Sequence, residues 1–138
     1  MNLTATQKAP NPRLVIPHFV IGGISLVMVA AILMFNPTIL LQHYFNPILL
    51  ATTHLLVLGF ITTICFGALY QLLPVILDVK LYSEKIGYLT LIFLTFGLVF
   101  LVISFWNFNF GMLFYIASTF IFIAIILFLL SLHVSVFA

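Results

Sequence analysis

Four histidines are the side chains of this sequence best suited to chemistry: His18, His43, His54 and His133. A neutral imidazole offers one lone pair and one N–H, so it can ligate a metal or move a proton near neutral pH. The single cysteine, Cys65, has no partner for a disulfide or for a thiolate metal site. What each histidine can do depends on where the chain holds it.

The composition indicates a membrane protein. Of the 138 residues, 65% are hydrophobic and 4% are charged, and the mean hydropathy is +1.40. A soluble domain has roughly a quarter of its residues charged. So large an apolar excess must face lipid or other helices, and four basic residues are too few for binding nucleic acid. We therefore predict an all-α integral membrane protein in a lipid bilayer.

Four apolar runs, at residues 13–35, 46–73, 86–106 and 110–133, each exceed the ~20 residues that cross a bilayer. They predict a four-transmembrane-helix antiparallel bundle over residues 13–138, after a flexible cytoplasmic tail at residues 1–12. Pro47 suits the first turn of the second span, and Pro74 is expected to end it.

The basic residues predict the orientation of the bundle. Lys8, Arg13, Lys80 and Lys85 all fall on one side of it. The positive-inside rule places both termini in the cytoplasm of a multi-pass protein of the inner or plasma membrane, with the His43 loop outside.

This topology sorts the histidines by depth. His54 is expected ~12 Å below the outer surface, within the hydrocarbon, where an ionisable residue indicates a functional site. Its alternative role is a hydrogen bond to a neighbouring helix. His18, His43 and His133 lie nearer the surfaces, and an interfacial ring needs no ligand. A buried neutral imidazole is a common axial ligand of haem iron, so we predict haem b bound at His54.

The second span also resembles a known family. Residues His54 to Phe60 (His-Leu-Leu-Val-Leu-Gly-Phe) and Gly67 to Pro74 (Gly-Ala-Leu-Tyr-Gln-Leu-Leu-Pro) are similar to the second transmembrane helix of haem-copper oxidase catalytic subunits. The likeness is to the C-type (cbb-type) oxidases and the related nitric oxide reductases, of which this chain would be a short four-helix relative. The resemblance implies that His54 ligates a low-spin haem toward the outer face.

The departures from that family limit the expected activity. This sequence has no His-His pair and no glutamate within a span, and it lacks the later helices that carry the family's remaining haem and copper ligands. The chain alone is therefore not expected to reduce oxygen. We expect a small b-type haem protein for electron transfer or for binding a diatomic gas, NO or O2.

The sequence offers several candidates for the other ligands of the haem. The second axial position is expected to be vacant for a gas, or filled by His54 of a second copy or by the thioether of Met34 or Met112. The outer side has no basic residue for the propionates, which would contact neutral groups there: His43, Gln42, Asn46, Trp106 and Asn109.

One side of the second span combines small and aromatic residues, a pattern typical of helix contacts in lipid. It consists of Gly59, Thr63, Phe66, Gly67 and Tyr70. We therefore expect a homo-oligomer with contacts through the second helix.

Two other functions are compatible with the sequence. The chain would be a structural or assembly subunit of a respiratory complex if His54 only packs. A copper or zinc ion at His43 with His54, or at His18 with His133, is the other alternative, although two nitrogens alone make a poor divalent site.

Overall fold

The computed structural model describes residues 10–137, and this part of the chain has four long helices and no strand. The helices are α1 (Pro12–Phe35), α2 (Pro47–Ile76), α3 (Glu84–Trp106) and α4 (Met112–Phe137), with a short 3₁₀ helix (Ile39–Leu41) before α2. Each long helix is apolar and long enough to cross a membrane. The prediction of a four-helix membrane protein is confirmed.

The first two helices begin with the same local signal, an asparagine cap followed by a proline. The side chain of Asn11 accepts a hydrogen bond from the backbone N–H of Arg13, and that of Asn46 accepts from Ile48 and Leu49. Each cap satisfies N–H groups that the first turn leaves free, and the proline has no N–H to satisfy. These starts agree with the predicted spans to within one residue.

The ends of α2 and α4 differ from the predicted spans. The helix α2 continues through Pro74 to Ile76, because a proline in the last turn removes only the bond to the carbonyl of Tyr70. Neighbouring groups readily compensate such a loss in membrane helices. The helix α4 continues to Phe137, so His133 lies one turn before its end.

The segment before α1 is described in part. Residues 1–9, including Lys8, lie outside the described residues. The backbone N–H of Asn11 donates to a carboxylate oxygen of Glu84 at 2.9 Å, and Pro10 is buried. Residues 10–12 are thus attached to the start of α3, unlike the flexible tail expected there.

The helices alternate in direction and form two closely packed pairs. Helix α1 packs along α2, α3 packs along α4, and the first half of α2 also packs against α3. The end of the bundle that carries Arg13, Lys80 and Lys85 is called the basic end below. It contains the starts of α1 and α3 and the ends of α2 and α4, and the opposite end is called the neutral end.

Glycines set the close approach within each pair. A Cβ on Gly67 of α2 would lie 2.7 Å from the Cβ of His18 on α1. A Cβ on Gly97 of α3 would lie 3.1 Å from the backbone carbonyl of Ala117 on α4. Small residues allow helix backbones to approach in this way where lipid supplies no hydrophobic drive for association.

The middle of α2 is a π-helical segment, Leu55–Thr62, which begins directly after His54. The hydroxyls of Thr62 and Thr63 donate to carbonyls five residues earlier, at 2.9 Å in both cases. The wider turn changes the faces that the two halves of α2 present to their neighbours. Such segments occur frequently at functional sites.

The face of α2 expected to join two copies is buried within one copy. All five of its residues are buried: Gly59, Thr63, Phe66, Gly67 and Tyr70. A Cβ on Gly59 would lie 2.7 Å from the hydroxyl of Ser25 on α1, and Phe66 stacks on Phe128 of α4 with ring centroids 3.7 Å apart. The expectation that this face contacts a second copy is therefore wrong, because the chain's own helices already cover it.

Candidate functional site

His54 ends the first α-helical part of α2, and one hydrogen bond sets its ring. Its Nδ1 lies 2.8 Å from the carbonyl oxygen of Leu50, one turn earlier. A carbonyl only accepts, so Nδ1 carries the hydrogen and Nε2 of the neutral ring has the lone pair. No hydrogen-bond partner for Nε2 occurs within residues 10–137. Metal-ligating histidines are oriented in this manner by a carbonyl on the other nitrogen.

The ring of His54 lines an apolar groove of about 350 Å³ formed by α2, α3 and α4. It packs on Phe105 with ring centroids 4.4 Å apart and planes 31° apart. The other lining residues are Leu58, Leu101, Phe114, Ser118, Ile121, Phe122 and Ile125. The volume falls within the range of cofactor and ligand sites. Because Ser118, Phe122 and Ile125 are exposed, one side of the groove opens toward lipid.

Aromatic rings continue from the groove to the neutral end. Phe105 contacts Phe110 and Phe114 edge to face, with centroids 6.0 and 5.8 Å away. Together they present flat apolar surfaces next to His54. These phenylalanines were not among the predicted site residues, although they lie on both sides of the turn between α3 and α4 in the sequence.

The structure does not bring the other predicted haem contacts to this groove. His43 is exposed in the loop before α2, where its Nδ1 accepts a hydrogen bond from the backbone N–H of Phe45. Met34 and Met112 are 70% and 79% exposed, and Trp106 is also exposed. None of these predicted residues lines the groove, so a single copy does not place a second axial ligand beside His54.

His18 differs most from its expected position. Its side chain is 0% exposed, its Nδ1 lies 2.9 Å from the carbonyl oxygen of Leu14, and its ring contacts Tyr70 edge to face at 5.6 Å. The interfacial interpretation of His18 is wrong, because α1 turns this residue toward α2. A planar macrocycle cannot reach the enclosed ring without separating these helices. His133, in contrast, is exposed.

Within residues 10–137, no group of three or more His, Cys, Asp or Glu side chains is close enough to hold a metal ion. Protein sites for a bare zinc ion use at least three such ligands. An iron or copper ion at His54 would therefore need a macrocycle or a second chain to complete its coordination.

The groove fits part of a haem. The oriented imidazole suits the iron, and the apolar and aromatic walls suit the faces of the ring. The groove has few cationic or free amide groups to bind the propionates. The described cations Arg13, Lys80 and Lys85 all lie at the basic end, and the side-chain amides of Asn107 and Asn109 already bond to nearby backbone groups. The propionates would then lie among water and lipid headgroups.

A comparison of the chain with known protein families, characterised proteins and solved structures finds no match. The likeness of α2 to the oxidase ligand helix therefore stays a hypothesis. The geometry around His54 is the main basis for assigning a function.

Proposed function

We propose that this chain is a small membrane-embedded b-type haem protein in which His54 is an axial ligand of the iron. The observation that carries the proposal is the bond from Nδ1 of His54 to the Leu50 carbonyl, which leaves Nε2 free beside an aromatic groove. The bound haem would supply one-electron transfer with two histidine ligands, or binding of NO or O2 where its second axial position is open. The chain would orient the imidazole, cover one face of the ring and exclude water from it.

The open side of the groove supports a homodimer with the haem between two copies. The small-residue face of α2 is buried inside the chain, so a second copy would meet the exposed groove side of α2 and α4, including Phe122 and Ile125. A two-fold axis along the membrane normal brings the partner's His54 to the same depth. Neither Met34 nor Met112 lines the groove, which favours the histidine as the second ligand.

The charge distribution supports an orientation in the inner or plasma membrane. The basic end would face the cytoplasm, together with both termini, and the neutral end would face outside. The haem would then lie in the outer half of the bilayer, within reach of a redox partner or respiratory complex at that side.

A visible spectrum of the purified full chain, oxidised and then reduced with dithionite, tests the proposal. We expect a Soret band that shifts on reduction. Replacing a residue that only orients a metal ligand typically costs about 10–100-fold in affinity, so His54→Ala should lower haem retention at least about tenfold. His133→Ala is the matched control, because His133 is exposed at the basic end and should leave the spectrum unchanged.

Two outcomes would contradict this assignment. A colourless wild-type protein from haem-supplied cells would favour a structural or assembly subunit without its own cofactor. A normal Soret band in His54→Ala together with its loss in His18→Ala would place the cofactor at the basic end.

A further inference from the structure

Four polar side chains form a layer inside the bundle near the basic end. They are His18 of α1, Tyr70 of α2, Thr90 of α3 and Ser131 of α4, and each is 0% exposed. Each lies six residues from the basic end of its helix (Pro12 to His18, Ile76 to Tyr70, Glu84 to Thr90, Phe137 to Ser131). This spacing corresponds to a common depth of about 9 Å. The set is called the polar layer below.

The hydrogen bonds of the polar layer are incomplete. The hydroxyl of Tyr70 donates to Thr90 Oγ1 at 3.2 Å, and Thr90 Oγ1 donates to the carbonyl of Ile86 at 2.9 Å. The hydroxyl hydrogens of Tyr70 and Thr90 are therefore both used in hydrogen bonds. His18 Nε2 and Ser131 Oγ are buried and have no partner within residues 10–137. Ser131 faces the Tyr70 hydroxyl, but no hydrogen bond of good geometry joins the two side chains.

The unused donors and acceptors of the polar layer are complementary. The bond from His18 Nδ1 to the Leu14 carbonyl makes Nε2 an acceptor, and it needs a donor. The oxygen of Tyr70 has a free lone pair, while Ser131 has a free hydroxyl hydrogen. One molecule with two hydrogens and a lone pair would satisfy all three residues. A buried polar group left without any partner is costly and calls for an explanation of this kind.

We propose that the polar layer binds an ordered water molecule that enters from the basic end. The water donates to His18 Nε2 and to the Tyr70 oxygen and accepts from the Ser131 hydroxyl. Three hydrogen bonds are the usual number for a buried water. The site is independent of the haem proposal, because it lies in the opposite half of the bundle from His54.

Ser135 provides the connection to the surface. A cavity of about 500 Å³ opens at the basic end and is lined in part by Lys80, Tyr82 and Ser135. The hydroxyl of Ser135 donates to the Ser131 carbonyl at 2.6 Å and accepts from the backbone N–H of Tyr82 at 2.9 Å. Ser135 thus lies between the surface cavity and the polar layer, one turn from Ser131.

Solid-state NMR of the full chain in lipid bilayers, labelled with ¹⁵N-histidine, tests the proposal. Magnetisation transferred from water should reach His18 Nε2, whose shift should be that of a hydrogen-bonded acceptor nitrogen. A His18→Leu variant assigns the signal, and exposed His133 serves as the positive control for transfer.

A pair of variants of α4 sharpens this test. Ser131→Val fills the space beside Tyr70 and removes a partner of the water, so transfer to His18 Nε2 should be lost. Thr119→Val is the matched control, because Thr119 is exposed and donates only to the Tyr115 carbonyl of its own helix. Absence of transfer to His18 Nε2 in the wild-type protein would overturn the proposal, as would unchanged transfer in a folded Ser131→Val protein.

Discussion

His54 and His18 have the same local hydrogen bond in two different surroundings. Both rings are held by a carbonyl four residues earlier, that of Leu50 or Leu14, so both present Nε2 as an acceptor. Their surroundings differ, because His54 lines an open groove while His18 is fully enclosed. A planar cofactor suits the first position, and only a molecule as small as water suits the second.

At the scale of single residues, added imidazole should replace the iron ligand that His54 is proposed to supply. We expect His54→Gly to lose the Soret band and to regain much of it when imidazole is added, because the open groove admits a ligand in place of the missing side chain. Absorbance during an imidazole titration measures the recovery. His133→Gly is the control and should retain its haem without imidazole. A His54→Gly protein that keeps full haem binding before any addition would argue against ligation by His54.

At the scale of elements, the contact of α1 with α2 depends on Gly67. An alanine there would place its Cβ 2.7 Å from the Cβ of His18, and both atoms are fixed to helix backbones. We expect Gly67→Ala to lower the free energy of unfolding by about 1–3 kcal/mol, as other overpacked cores do. Unfolding in mixed detergent micelles, followed by circular dichroism, measures the change.

Gly23 of α1 provides a matched control for that substitution. A Cβ at Gly23 meets no atom within 4 Å, and the residue is exposed toward lipid. We expect Gly23→Ala to change the free energy of unfolding by less than about 0.5 kcal/mol. Equal losses in the two variants would contradict the close approach of α1 to α2 at Gly67.

At the scale of the whole molecule, the charge distribution predicts the orientation. With Cys65→Ser as background, a cysteine in place of His43 should react with a membrane-impermeant thiol reagent in intact cells. A cysteine in place of Lys80 should react only after the membrane is permeabilised, because the basic end is expected to face the cytoplasm. Both positions are exposed, so the reversed pattern would show the opposite orientation.

The proposed dimer has a mass and a stoichiometry that can be measured. Under mild solubilisation, the detergent-corrected mass should be twice the 15.5 kDa of one chain, with one haem for two chains. Light scattering and a pyridine haemochrome assay measure these quantities. A mass of one chain with bound haem would refute shared ligation, and a dimer with one haem per chain would require a different second ligand.

The sequence alone determined the class of the protein, the four spans and, to within one residue, the starts of α1 and α2. These properties depend on local composition: a long apolar run must cross the hydrocarbon, and an asparagine before a proline caps the first turn. The expected depth of His54 is a prediction from its place along one such span. The end of α2 was predicted incorrectly, because a proline in the last turn removes only one backbone hydrogen bond and does not end the helix.

Only the tertiary structure decided which faces of the helices are covered. Nearly every position in these spans is apolar or small, so the sequence does not distinguish a face that meets lipid from one that meets another helix. The small-residue face of α2 therefore suggested a contact between copies, whereas α1, α3 and α4 cover it. The enclosure of His18 and the groove beside His54 depend on the same packing, because each is formed by helices whose contacting residues are far apart in the chain.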